Sequence, residues 1–249
     1  MSLEQKIILL EDTAAVAQRS AEAFAALAAA VIGRRGRLAV ALSGGATPAG
    51  MYRRLAALPL AAAIDWRRVH LFWGDERCVA PDHADSNYRM AREAWLDRIA
   101  MPAANVHRMP AEYPDGAAAA GSYANELRAF FQLRRGDVPV FDLILLGLGT
   151  DGHVASLFPG TPALAETARL VAENPVPHLQ TSRLTLTLPV INAAANVWFL
   201  VTGADKAEMA AHALQPGPDS PEIPARRVQP ARGAVTWFLD HAAAARLRL

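Results

Sequence analysis

Cysteine is nearly absent from this 249-residue chain. The single Cys78 excludes an internal disulfide and thiolate metal clusters, and it fits a reducing compartment. Lysine is almost as scarce: of the 25 basic residues only Lys6 and Lys206 are lysine, which makes Lys206 a residue to follow. Excess charge of one sign is also lacking. With a net charge of +1 the chain as a whole is not built to attract nucleic acid, so any anionic ligand must be held locally. Although 52% of the residues are apolar, no run approaches the roughly 18 uninterrupted apolar residues of a spanning helix. The N-terminus lacks the basic, then apolar, then small-residue pattern of a secretory signal. These absences lead to the expectation of a cytoplasmic protein without a membrane partner. No two histidines stand four apart and no G-x-S-x-G occurs, so neither a metal site nor a serine nucleophile is expected.

What is present is an alternation of buried strands and helices. Strands are expected at Lys6–Leu10, Leu38–Leu42, Val69–Trp73, Val140–Leu146, Leu184–Leu188, Val197–Val201 and Ala234–Leu239. Helices are expected from Thr13 to Val31, Ala49 to Leu58, Ser86 to Ile99 and Ser122 to Leu133, from Ala204 onward, and at the C-terminus. Thr47 is the expected cap of the second helix, with Pro48 at its first position. The stretch Gln215–Gly233 carries five prolines and is expected to be irregular. Neither a composition break nor an internal repeat divides residues 1–249, so one domain is expected. Such an alternation implies an α/β fold, a doubly wound, mostly parallel sheet with helices on both faces. Ligands of that fold lie beyond the carboxyl ends of the strands, where the polar clusters of this chain all fall.

Ser43-Gly44-Gly45-Ala46-Thr47-Pro48 follows a strand and opens a helix, so its backbone N–H groups and the helix dipole point at an anion, most naturally a phosphate. It is not a P-loop, because Met51-Tyr52 stand where lysine and a hydroxyl residue are required. Gly147 to Gly152 formally matches G-x-G-x-x-G. The match is poor, since Pro159-Gly160 would cut the next helix short and no acidic residue closes a second strand about 20 residues on. The loop instead presents Asp151 and His153, and an imidazole can take a proton from water and return it to a leaving group near neutral pH. His70, His83, His107, His178, His212 and His241 lack comparable surroundings. Asp75-Glu76-Arg77 follow another buried strand, while Arg183 and Lys206 add cations suited to phosphate, one as a fork and one as a point charge.

At these residues the chain resembles the 6-phosphogluconolactonase family, within a larger group that includes glucosamine-6-phosphate isomerases and deaminases. The resemblance runs through Ser43-Gly44-Gly45 with Thr47-Pro48, Gly74-Asp75-Glu76-Arg77 with Ser86-Asn87, and Gly149 with Asp151-Gly152-His153. It continues through Ala155 to Gly160, Arg183 and Thr202 to Lys206. It implies a single Rossmann-like α/β domain, no cofactor, and hydrolysis of 6-phosphogluconolactone in the oxidative pentose phosphate pathway. By position it implies His153 as general base and then acid, with Asp151 and Asp75 as further catalytic candidates orienting His153 or sugar hydroxyls. Ser43, Gly44, Gly45, Thr47, Arg77, Asn87, Gly149, Arg183 and Lys206 are the implied substrate and phosphate ligands. The expected partner is a small sugar phosphate lactone, and the expected state a monomer or weak homodimer. The alternatives are a deaminase, disfavoured because Leu157 to Gly160 supplies no carboxylate, and a non-catalytic sugar-phosphate sensor.

Overall fold

Leu38–Leu42 is buried along its whole length, as befits a strand paired on both edges and covered on both faces. The computed structural model describes residues 4–248 apart from residue 219. Its elements, in chain order, are β1 (Glu4–Leu10), α1 (Thr13–Arg35), β2 (Leu38–Leu42), α2 (Ala46–Leu55), α3 (Leu60–Ala63), β3 (Val69–Trp73), β4 (Asp75–Arg77) and α4 (Asn87–Ala94). Then come β5 (Val106–His107), α5 (Gly116–Phe131), β6 (Leu143–Leu146), β7 (Val171–Val176), β8 (Thr181–Leu186), α6 (Leu188–Ile191), β9 (Asn196–Val201), α7 (Ala207–Leu214) and β10 (Ala234–Asp240).

Seven strands form a sheet in the order β1-β10-β9-β6-β2-β3-β5, with every pairing parallel. This is the doubly wound α/β sheet expected. On one side Phe24 of α1, Tyr52 of α2 and Trp66 gather around Trp95, with Tyr52 and Trp95 stacked at 5.3 Å. On the other, Phe130 and Phe131 of α5 pack on Phe72 of β3 and on Phe141. Helix α1 is long and apolar enough, by length and composition, to cross a membrane. Here it buries Val16, Ala17, Ser20, Ala21, Phe24, Ala28 and Val31 and leaves the opposite stripe in solvent.

Several expectations need correction. The chain does not make one sheet: β4, β8 and β7 form a second, antiparallel one. The Leu/Thr strand begins at Thr181, so Arg183 lies inside it rather than before it. Within that strand Thr185 is buried, and its hydroxyl accepts the Ser156 N–H. Thr47 is not a cap; Gly45 precedes α2, whose first turn starts at Ala46. Helix α5 begins six residues before Ser122, because the Asp115 carboxylate caps it and the Ala117–Ala120 run favours helix over loop. Beyond β10 the chain makes turns instead of a terminal helix, with the Asp240 carboxylate taking the Ala243 N–H. The described residues of the proline-rich stretch are irregular, as expected, save for a tight turn at Pro224–Arg227.

Chain order and strand order part company between β2 and β6. From β2 the chain winds outward to β3 and β5, then returns to place β6 on the other flank of β2 and continues to β9 and β10. Neighbouring loops therefore diverge at the carboxyl ends of β2 and β6 and leave a crevice. The Ser43 loop leaves β2 and the Gly147 loop leaves β6.

Candidate active site

A cavity of about 520 Å³ fills that crevice. Three loops at strand ends and one strand pair wall it: Ser43–Pro48 after β2, Gly147–Phe158 after β6, Thr202–Lys206 after β9, and the β4–β8 pair carrying Asp75, Arg77 and Arg183.

His153 is held from three sides. Its Nδ1 lies 2.5 Å from Asp151 Oδ1, which also accepts the His153 backbone N–H at 3.1 Å. Its carbonyl accepts from Gly149 N at 2.9 Å, and Phe158 lies against the ring at 4.1 Å between centroids. The turn demands its glycines. A Cβ on Gly149 would come within 2.0 Å of His153 Nδ1, and Gly152 holds a φ of 79°, where other residues are strained. Partial burial pushes the Asp151 carboxyl up, but the hydrogen bonds from the His153 ring and backbone outweigh it and hold the carboxyl at about 2. An ionised carboxylate only accepts, so Nδ1 is the ring nitrogen that carries the hydrogen toward Asp151.

The opposite wall is cationic. Arg77 and Arg183 are cross-strand partners in the β4–β8 pair, and among the described residues the buried Nε of each has no hydrogen-bond partner. Burial, and then the like charge of Arg77, lower the pKa of the Arg183 guanidinium. Two half-buried guanidinium groups on facing strands favour an anion between them. Lys206 reaches the cavity from a tight turn before α7 rather than from the helix start expected, paired with Asp205 at 3.1 Å. Thr47 and Thr202 join their hydroxyls at 2.7 Å across the floor. At the start of α2 no side chain caps the helix, so its first N–H groups face the cavity. Gly44 permits a close approach there, since a Cβ would fall 1.9 Å from Asn87 Oδ1.

Ser43, Gly44, Gly45, Thr47, Asp75, Arg77, Asn87, Gly149, His153, Arg183 and Lys206 all line this one cavity; Asp151 stands behind His153 instead. Asp75 does not bond His153. Its carboxylate accepts from Ser156 Oγ at 2.7 Å, tying the histidine loop to β4, and Asn87 Nδ2 donates to its carbonyl. Glu76 is a buried framework residue: its carboxylate accepts from the backbone N–H groups of Arg77, Asn87 and Tyr88 and from the Ser86 hydroxyl, and burial raises its pKa. Burial also pushes the Cys78 thiol up to about 11, which leaves it unreactive. Sequence reasoning gave no role to Ser156, Phe158 or Thr202, although all three lie within quoted motifs, nor to Tyr52. The Tyr52 hydroxyl accepts from Ser43 N and donates to Ser43 O. Only its place nearly two turns into α2 could have pointed to that. Among the described residues no group of three or more side chains is arranged to hold a metal ion.

Fold and site together define a Rossmann-like α/β protein with a histidine facing a cationic wall at its switch point. The chain belongs to the family described as glucosamine-6-phosphate isomerases/6-phosphogluconolactonase, whose pattern matches residues 11–237. It is 48% identical to a 6-phosphogluconolactonase of Synechocystis over 217 residues, 87% of this chain and 88% of that protein. It is 43% identical to the human 6-phosphogluconolactonase, over 92% of this chain and 85% of that one. Among solved structures, the 6-phosphogluconolactonase of Trypanosoma brucei superposes with a TM-score of 0.87 at 31% identity, covering 99% of this chain and 100% of the other.

Proposed function

We propose that this protein hydrolyses 6-phosphogluconolactone to 6-phosphogluconate, with His153 as the group that moves the proton. The observation that carries the reading is the coincidence, in one cavity, of an Asp151-oriented imidazole and the cations Arg77, Arg183 and Lys206. In this mechanism Nε2 of His153 takes a proton from water as the water oxygen bonds to the lactone carbonyl carbon. The negative charge that develops on the carbonyl oxygen is met by N–H groups of the Ser43–Thr47 turn. When the intermediate collapses, the bond from that carbon to the ring oxygen breaks and the imidazolium returns its proton to the departing oxygen. The carboxylic acid product then ionises in solution. Asp151 stabilises the transient imidazolium, and the phosphate is held away from the reacting carbon by Arg77, Arg183 and Lys206. The reaction transfers no electrons, and all its proton transfers are accounted for by these side chains and water. Action as one domain, in the cytoplasm, as a monomer or weak dimer, completes the proposal; the reducing location is supported by the single half-buried Cys78.

The test is acid release from freshly prepared 6-phosphogluconolactone, measured against spontaneous ring opening, with glucosamine 6-phosphate as the control substrate. Rates above the spontaneous one, without ammonia release from the control, are expected. Deamination of the control with no effect on the lactone would reassign the site to the isomerase branch of the family.

A further inference from the structure

Asp240 lies outside the cavity, at the carboxyl end of β10, and is 4% exposed. Buried carboxylates are costly unless their oxygens are satisfied, and among the described residues no cation pairs with this one. Its oxygens instead collect donors from three separate segments. Gly203 N donates to both Oδ1 and Oδ2 at 3.1 Å, Ala243 N donates to Oδ1 at 2.7 Å, and the Thr13 hydroxyl donates to Oδ2 at 3.3 Å. Thr13 is the first residue of the long helix α1, so the positive end of that helix also faces the carboxylate.

The bond to Gly203 connects this anchor to the site. Gly203 has a φ of 98°, a conformation other residues rarely adopt, and it begins the tight turn Ala204–Lys206 that delivers Lys206. On its other side Thr202 meets Thr47 across the cavity floor. The Thr202–Lys206 turn is thus tied on one side to the Ser43–Pro48 loop by the threonine pair and on the other to β10 by Asp240.

We propose that Asp240 is a positioning residue for the lactone reaction: its carboxylate fixes the Thr202–Lys206 turn, and with it the Lys206 ammonium, at the distance a bound phosphate requires. The inference rests on the lactonase reading. Asp240 touches neither the water nor the carbonyl, so its loss acts on binding and leaves the proton transfers at His153 intact.

Steady-state kinetics on fresh lactone and calorimetric binding of 6-phosphogluconate test this on the full chain. Asp240→Ala should raise KM and the product Kd by about tenfold, the usual consequence of losing a charge-assisted hydrogen bond, with kcat within about twofold. Asp240→Asn keeps one acceptor oxygen and should lie between Asp240→Ala and the wild type. Thr13→Val removes one bond to the same carboxylate while sparing Gly203, so it should lower Tm without moving KM. If Asp240→Ala does not fold, Asp240→Asn against Thr13→Val decides. A KM within twofold of the wild type in the Asp240 variants, with Tm alone reduced, overturns the proposal. A wild-type protein with no effect on the lactone fails the underlying reading instead, and that result is seen before any variant is made.

Discussion

Among the described residues two imidazole–carboxylate pairs lie within hydrogen-bond distance with nearly equal geometry, and of these His153 lines the cavity between β2 and β6 while His107 does not. His153 meets Asp151 at 2.5 Å, and His107 meets Glu126 at 2.7 Å. In the first pair one ring nitrogen is held by the carboxylate and the ring borders the crevice between β2 and β6. In the second both nitrogens are engaged, since Nε2 of His107 lies 3.3 Å from Nδ1 of His70, and the ring is stacked flat on Phe72 at 4.3 Å. Phe130 of α5 closes over both of those histidines. The hydrogen bond alone therefore does not make a catalyst. What separates the pairs is a second ring nitrogen that has no partner among the described residues and lies beside a cationic wall, as against one spent on His70 of the neighbouring strand β3.

The comparison breaks or sharpens most with the histidines themselves. His153→Ala should lower kcat by roughly 10²–10⁴-fold with product binding almost unchanged, as measured by steady-state kinetics and calorimetry. An equal loss in His107→Gln would erase the distinction between the pairs. Asp151→Asn should lower kcat about 10- to 100-fold, because the amide no longer stabilises an imidazolium and can donate to Nδ1, forcing the wrong tautomer. Its KM should move little. The matching change in the other pair, Glu126→Gln, should leave kcat within about twofold and reduce stability by about 1 kcal/mol or less, a few degrees of Tm at most.

The smallest expected effects are those of acid. Burial, with the charges of His107 and Arg37, lowers the pKa of His70 from 6.5 to about 4. The folded protein then binds fewer protons there than the unfolded chain, so the stability His70 contributes is full above pH 6.5 and is lost as pH falls toward 4. Asp151, depressed from 3.8 to about 2, loses its contribution only as pH falls through that lower window. Thermal melts across pH should show His70→Phe flattening the first window alone and Asp151→Asn the second alone. A shared window would mean the two regions do not titrate independently.

Much of the fold was legible because parallel strands covered on both faces must be continuous apolar runs, as Leu38–Leu42 and Val197–Val201 are. The antiparallel sheet was not legible. Asp75–Arg77 is a three-residue strand of charged residues, and nothing in its local pattern reveals that Thr181–Leu186 will pair with it. The site divides the same way. Glycine turns, His153 and the cations could be named from residue type and their place after buried strands. That Asp75 serves Ser156 rather than His153, and that Asp240 reaches Gly203, depends on residues 81 and 37 positions apart in the chain.

By itself, then, the sequence determined the elements that carry chemistry, because strand burial, glycine turns and helix starts are set by neighbours along the chain. Only the tertiary structure decided, among the described residues, which ring nitrogens are engaged and which are left without a partner. That choice depends on whether a ring opens onto the crevice where β2 and β6 part or lies beneath the aromatic side chains of α5, and both arrangements join residues distant in the chain.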